Sequence, residues 1–345
     1  MVSIKENNLP VQQIPVSSSW CSAGPAAYDF RTDTITTPTL SMLQAIAQTT
    51  LMDDKFTAAL TGKEDSLLVM SGTMGNQIAL RSLLTQPPHA SLCHERSHIL
   101  QSEAGGCSSL SQAHMQSCAP LANGQYLTLE DIKRVADTRE NIHIAPTRVI
   151  SLENTLAGVV TPLEEVRRIS LFARATGIKM YLDGARIWEA VAAGAGSLTD
   201  YLECFDTAQM CFSKGLGAPI GEWVRKSIGG GIRQAGVIAA AAARVAVEEK
   251  FGKGLNGEGG RLREGHARAK LIEKMWLGRG GRVSRPVETW RIAGSRPMRR
   301  SGLPGRNIKL SGGRIVVHYQ IVEEAVDQLE KVFDRLLLSK KDNGV

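Results

Sequence analysis

Apolar positions in this chain fall into two kinds of block. Short runs, apolar at successive residues, occupy 66–70, 148–152, 180–182 and 207–212, each closed by small or charged residues. Runs of that length without a polar face predict strands buried on both sides of a parallel sheet. Elsewhere apolar residues recur every three or four positions, as in Met74, Ile78, Leu80, Leu83 and Leu84, or Leu163, Val166, Ile169 and Phe172. That spacing predicts helices with one core-facing stripe. Further helices are predicted from Thr37-Pro38-Thr39 to about Thr50 and over 235–250, 261–276 and 322–338, with a strand over 314–318.

The clearest unit spans 148–183. After its first strand, Thr161 is placed as an N-cap, Pro162 at the first helical position and Glu164 as partner in a capping box, while Gly177 terminates the helix. The next apolar run ends at Asp183. Strand, helix, strand implies parallel pairing through a right-handed crossover. The same alternation along the chain predicts an α/β domain around a buried, mostly parallel sheet. The expected division is a flexible N-terminal arm at 1–27, a large domain at 28–251 and a smaller C-terminal α+β domain at 252–340, entered through a polar, Gly-rich link.

Composition narrows the function classes. At 345 residues, 43% hydrophobic and 22% charged, the chain reads as an ordinary soluble globular protein. No apolar run approaches the roughly 18 residues needed to cross a bilayer. The first residues show neither a basic start nor an apolar stretch for export, so a cytoplasmic protein with no membrane partner is expected. The six cysteines (Cys21, Cys93, Cys107, Cys118, Cys204, Cys211) form no CxxC pair and no Cys/His metal spacing, so reduced thiols and no metal centre are expected. The net charge of +7 is local: Arg279 to Arg306 holds eight arginines and one acid, Glu288, which accounts for the whole excess. With Trp290 as its only aromatic and no nucleic-acid motif, this block is expected to be a solvated, poorly ordered segment rather than a nucleic-acid site.

In parallel α/β sheets ligands bind outside the carboxyl ends of the strands, and three candidate groups fall at such ends. Ser71-Gly72-Thr73 opens a helix, where backbone N–H groups, a hydroxyl and the positive dipole end suit a phosphate. Asp183 ends one strand. Lys214 ends another on a tight turn, Ser213-Lys214-Gly215, where a desolvated amine can form a Schiff base with an aldehyde. Taken singly each has a bland reading: a packing turn, a capping carboxylate, a solvated lysine and, for His98, a surface histidine. Taken together, a phosphate cradle, a carboxylate and an amine are what pyridoxal 5′-phosphate requires.

Longer motifs then carry a resemblance. Asp29-Phe30-Arg31-Thr32-Asp33-Thr34-Ile35-Thr36, Ser71-Gly72-Thr73-Met74-Gly75-Asn76-Gln77 and Glu103-Ala104-Gly105-Gly106 are followed by Leu152-Glu153-Asn154-Thr155 and Asp183-Gly184-Ala185-Arg186-Ile187-Trp188. Then come Ser213-Lys214-Gly215-Leu216-Gly217-Ala218-Pro219 and Gly229-Gly230-Gly231-Ile232-Arg233-Gln234-Ala235-Gly236. In these motifs the chain resembles the low-specificity L-threonine aldolases of eukaryotic, fungal type, members of the aspartate-aminotransferase-like (fold type I) pyridoxal phosphate enzymes. The resemblance implies a three-layer, mostly parallel large domain, a small C-terminal domain, pyridoxal 5′-phosphate as cofactor, and a homodimer or homotetramer. It implies Lys214 as the Schiff-base lysine, Asp183 as partner of the pyridine nitrogen and Arg186 as a contact of the phenolic oxygen or nearby groups. Ser71, Gly72 and Thr73 would hold the phosphate, with Arg233 reaching it across a subunit boundary. His98 would stack on the ring and, beside a water or the cofactor phosphate, is one candidate for the base. Thr32 and Arg314 would receive the substrate carboxylate, for which an arginine fork is well shaped.

The implied reaction is retro-aldol cleavage of L-threonine, L-allo-threonine or a related β-hydroxy amino acid to glycine and an aldehyde. Some fungal relatives of this kind are alanine racemases, so racemisation stands as an alternative, as does a non-catalytic role. Three stretches motivate the latter by departing from the family pattern. A loop after Met52-Asp53-Asp54 is shortened, only 222–228 stand where a strand and a helix are usual, and the basic block replaces an apolar strand after Thr289. They are read as deletions plus one out-of-frame or mis-spliced stretch.

Overall fold

The computed structural model describes residues 24–49, 60–139, 141–219, 222–224, 233–252, 259–283, 291–298, 308–310 and 312–338. In chain order the elements are α1 (Leu40–Gln48), β1 (Leu67–Val69), α2 (Gly72–Leu83), β2 (Ala90–His94), α3 (His98–Gln101), α4 (Gly106–Ser111) and β3 (His114–Cys118). There follow α5 (Leu129–Val135), β4 (Thr147–Glu153), α6 (Leu163–Thr176), β5 (Lys179–Gly184), α7 (Ile187–Ala192), α8 (Leu198–Glu203), β6 (Thr207–Cys211) and β7 (Glu222–Val224). The last are α9 (Arg233–Lys250), α10 (Gly260–Gly278), β8 (Arg291–Met298), β9 (Gly312–Val316) and α11 (Glu323–Leu338).

Seven strands share one sheet in the order β1-β7-β6-β5-β4-β2-β3. The pairs β2–β3, β2–β4, β4–β5 and β5–β6 are parallel, while β7 runs antiparallel to both β1 and β6. Strand alternation sends Ile150, Leu152, Met180 and Leu182 to one face, where they pack with Val166, Ile169 and Ala173 of α6. Val149 and Tyr181 point to the other face, against Ala79 and Leu80 of α2. Helices therefore cover both faces, which gives the three layers of the expected α/β fold.

A separate apolar cluster unites Ala269 and Ile272 of α10, Ile315 of β9, and Leu329, Val332 and Phe333 of α11. Phe30 is buried in it, with its N–H bonded to Lys309 O at 3.0 Å and its carbonyl accepting from Val316 N at 2.8 Å. The segment carrying Thr32 is thus laced to the C-terminal part of the chain.

Local chemistry departs from expectation at two places. Helix α6 begins at Leu163, with Pro162 as the residue before it and no side-chain cap. Thr161 is engaged elsewhere: its N–H donates to Asn154 Oδ1 at 3.2 Å, and its carbonyl accepts from the Tyr201 hydroxyl at 2.9 Å. The capping boxes are instead Thr128 with Asp131 and Ser197 with Asp200. Gly177 closes α6 as predicted. Second, the arginine-rich stretch is not simply solvated: residues Arg291–Met298 pair with β9, and Arg279 bridges Glu330 (2.6 Å) and Asp334 (2.5 Å) on α11. Opposite charges supplied by α11 give this end of the block a fixed place. The remainder of the block, the stretch at 50–59 and residues 225–232 lie outside the described residues, as does the arm up to residue 23.

At the crowded end of β5, Gly184 leaves no room for a side chain: a Cβ there would sit 2.7 Å from Gln209 O on the neighbouring strand. Gly184→Ala is expected to cost about 1–3 kcal/mol of stability through this overpacking, measured as a lowered urea midpoint.

Candidate active site

One edge of the sheet collects the chemistry. Parallel pairing puts Glu153, at the end of β4, beside Asp183 on β5. Two antiparallel steps through β7 bring the end of β1 to the same edge, since Val69 and Cys211 both lie opposite Glu222. Ser71, which follows β1, and Lys214, which follows β6, therefore share this edge with Asp183, and His98 joins them from the start of α3, after β2.

Ser71 caps α2 by accepting from Met74 N at 3.2 Å. The N–H groups of Gly72 and Thr73 lie in the first turn, where no helix carbonyl reaches them. The half-buried Lys214 sits on a turn closed by Leu216 N bonding to Lys214 O and Ala218 N to Phe212 O at 2.9 Å. Gly215 permits that turn through its positive φ of 59°.

Asp183 is buried, with Oδ1 accepting from Ala185 N at 3.1 Å and Oδ2 from Asn76 Nδ2 at 3.0 Å. The same Asn76 amide donates to Glu103 Oε1 at 2.7 Å, and the Tyr181 hydroxyl donates to Asn76 Oδ1. Glu103, also buried, accepts from Gln77 Nε2 at 2.6 Å and pairs with His98 Nδ1 at 2.8 Å. A continuous path therefore runs from Asp183 through Asn76 and Glu103 to His98. It fixes the imidazole so that Nδ1 faces Glu103, leaving Nε2 for other work.

The charges act on one another. Glu103's hydrogen bond raises the His98 pKa; burial opposes it, Asp183 adds to it and the Lys214 cation subtracts. Burial and the Asp183 charge push Glu153 up to about 7. Arg186 forks onto Asp33 with two bonds of 2.8 Å. Burial alone would raise the Asp33 carboxyl, but Arg186, and behind it Lys214, hold it below the usual carboxylate range.

The structure thus brings together Ser71, Gly72, Thr73, His98, Asp183 and Lys214 at one sheet edge. Arg186 is nearby, but its fork is engaged by Asp33. Thr32 caps a short turn by accepting from Thr34 N at 3.2 Å, while Arg314 is exposed on β9, the strand next to the Phe30 segment. Arg233 opens α9, and its side chain lies outside the described residues. Sequence reasoning gave no role to Asp33, Asn76, Glu103 or Glu153, although each lies in a motif it singled out.

If Glu103 orients His98, Glu103→Gln is expected to lower the His98 pKa towards or below 6.5, read by NMR titration of the ring. Because that pKa is raised on folding, the pair's stabilisation is full below 6.5 and is lost as pH rises through the raised value. The variant should flatten that dependence. An unmoved His98 titration would show that the 2.8 Å contact does not govern the ring.

A buried carboxylate and a turn-borne amine on one sheet edge, with a helix start beside them, suit an aldehyde-bearing, phosphorylated pyridine. Pyridoxal 5′-phosphate uses all three at once. The sheet, with a single antiparallel strand set among parallel ones, is that of the fold type I enzymes that depend on it. Within that class the chain belongs to the beta-eliminating lyase family, whose model matches residues 29–289. It is 48% identical to an aldolase, vrtJ, of Penicillium aethiopicum, over 93% of this chain and 89% of that protein. An alanine racemase, TOXG, of Cochliobolus carbonum is 39% identical over 97% and 94%, respectively. A low-specificity L-threonine aldolase of Candida albicans is 39% identical over 88% of each chain. Among solved structures, Leishmania major threonine aldolase superposes with a TM-score of 0.72 over 90% of this chain and 99% of that one, at 17% identity. The vrtJ alignment spans 356 positions against 345 residues here, so it opens gaps in this chain, in keeping with the shortened stretches. Among the described residues no group of His, Cys, Asp or Glu could hold a metal ion, and no helix is long and apolar enough to cross a membrane.

Proposed function

We propose that this chain is an aldehyde-lyase that cleaves the Cα–Cβ bond of L-threonine, L-allo-threonine or a related β-hydroxy amino acid, releasing glycine and an aldehyde. The observation that carries it is the path Asp183–Asn76–Glu103–His98 facing the Lys214 turn. When bound, the cofactor supplies a sink for the electron pair that bond cleavage leaves on Cα. Lys214 would bond the cofactor aldehyde, Asp183 would pair with the ring nitrogen, and the α2 start at Ser71, Gly72 and Thr73 would hold the phosphate. His98 would lie against the ring, and its Nε2, opposite the Nδ1 held by Glu103, would take the proton of the β-hydroxyl. For that it must be neutral, so its raised pKa implies activity falling on the acid side of that value. Arg186, paired with Asp33, would contact the cofactor's phenolic oxygen or nearby groups. Thr32 and Arg314 receive the substrate carboxylate. Arg233 reaches the phosphate of a second subunit in a homodimer or homotetramer, and the chain divides into a large domain at 28–251 and a small one at 252–340.

The 39% identity to an alanine racemase over 97% of the chain favours a second reading, in which the same residues exchange the Cα proton of alanine. Purified protein with pyridoxal 5′-phosphate, given L-threonine, L-allo-threonine and L-alanine in turn, tests both. Aldehyde release is the expected result. D-alanine without aldehyde would select the second reading. No aldehyde from any β-hydroxy amino acid at full cofactor occupancy would overturn the first.

A further inference from the structure

Beneath the Lys214 turn lies a buried acid–base pair that the roles above leave unused. Glu189 stands on α7, just after the Asp183-Gly184-Ala185-Arg186 stretch, and its Oε2 meets His266 Nε2 on α10 at 2.6 Å. Both side chains are almost fully enclosed, 5% and 7% exposed. The other carboxylate oxygen closes the space beside the lysine turn, because a Cβ on Gly215 would sit 2.6 Å from Glu189 Oε1. Leu262, also on α10, bounds the same spot at 3.7 Å. The neighbouring Trp188 holds the strand that leads into the turn, its Nε1 donating to Cys211 O at 2.9 Å. The turn that carries Lys214 is thus backed at Gly215 by a carboxylate whose partner comes from the C-terminal part of the chain.

Such a pair is a poor device for stability alone, since burying two ionisable groups costs more than packing apolar residues of the same volume. Burial raises the Glu189 pKa; His266 counters this, Asp33 adds to it and Arg186 subtracts. Two of these groups, Asp33 and Arg186, are paired with each other, and Asp33 also feels the Lys214 charge. We propose that Glu189 and His266 are positioning residues for Lys214: the carboxylate supports Gly215 from below, and His266 locks the carboxylate, so the aim of the lysine depends on how α10 is seated. This rests on Lys214 being the cofactor lysine.

The test uses the holoprotein. Borohydride reduction followed by peptide mapping first establishes that pyridoxal phosphate is bound at Lys214 in the wild type; cofactor fixed on another lysine would overturn the functional reading itself, whatever the pair does. Given that result, Glu189→Ala is expected to speed cofactor dissociation about tenfold and to raise hydrogen exchange in the peptide 211–219, as positional support is lost. Glu189→Gln, which keeps the volume and can still bond a neutral imidazole, should restore most of both. Adding His266→Gln to Glu189→Ala should do no further harm, because the two residues act as one unit. If Glu189→Ala does not fold, His266→Gln alone is read, with a smaller rise in both quantities expected. Variants that melt earlier yet keep wild-type cofactor dissociation and wild-type exchange at 211–219 would reduce the pair to a structural contact and overturn the proposal.

Discussion

Lys214→Ala is expected to abolish the visible absorbance of lysine-bound pyridoxal phosphate and to lower kcat by roughly 10³–10⁶, the range seen when a covalent catalytic group is deleted. The half-buried side chain projects from a turn whose closing hydrogen bonds are all backbone, Leu216 N to Lys214 O and Ala218 N to Phe212 O. Truncation should therefore leave the turn and the fold intact. The buried amine of Lys250 on α9 is not placed to substitute: it lies over the Tyr319 ring at 3.9 Å, enclosed away from solvent. Burial lowers its pKa to about 8, but a free amine without access forms no bond. A variant with wild-type circular dichroism that retained both the band and turnover would place the cofactor elsewhere in the molecule.

That lysine was legible before any coordinates because of where strands end. The runs that form β4, β5 and β6 are largely buried on both faces, as strands at the centre of a covered sheet are, and Asp183 and Lys214 stand at or just past their ends. Strands β2 and β3 escaped notice for the converse reason. β3 is an edge strand with His114 and Ser117 exposed, and its neighbour β2, although buried throughout, interrupts its apolar residues with Ser91 and His94. The misplaced cap at Thr161 has a similar origin: Asn154 and Tyr201 claim its peptide groups, and neither is adjacent in sequence.

The supporting residues of the site needed tertiary structure. Asp33 reaches Arg186 across 153 positions and Asn76 reaches Asp183 across 107. What the sequence did offer was acids and amides, Asp33, Asn76, Glu103 and Glu153, inside the motifs it singled out. Such groups become buried only with partners, so each was an unanswered question about a distant donor. The fold answers three of them with one network, Asn76 and Glu103 bonded to each other and Glu153 accepting from His98 N at 2.8 Å, which explains why the motifs occur together although they lie far apart along the chain.

That network sets the second large effect. Asp183→Asn is expected to lower kcat by about 10²–10³, comparable to losing one preorganised electrostatic contact at a reacting centre. The carboxylate is held by two donors, Ala185 N at 3.1 Å and Asn76 Nδ2 at 3.0 Å. An amide has one oxygen, so one donor loses its acceptor at a cost of about 1–3 kcal/mol. That loss is small enough for the folded variant to be isolated, and the cofactor should still be bound through Lys214. The missing negative charge has a further consequence at Glu153, whose pKa is pushed to about 7 by burial and by Asp183. A carboxyl raised on folding destabilises the native state progressively as pH rises from its unfolded value of 4.5 to about 7, where the cost is complete. Without the Asp183 charge the Glu153 pKa should fall, so the variant's stability should decline less across that window than the wild type's. Denaturant midpoints at several pH values read this effect and need neither cofactor nor turnover. A wild-type kcat would remove Asp183 from the ring nitrogen, and an unchanged pH slope would show that burial alone sets the Glu153 pKa.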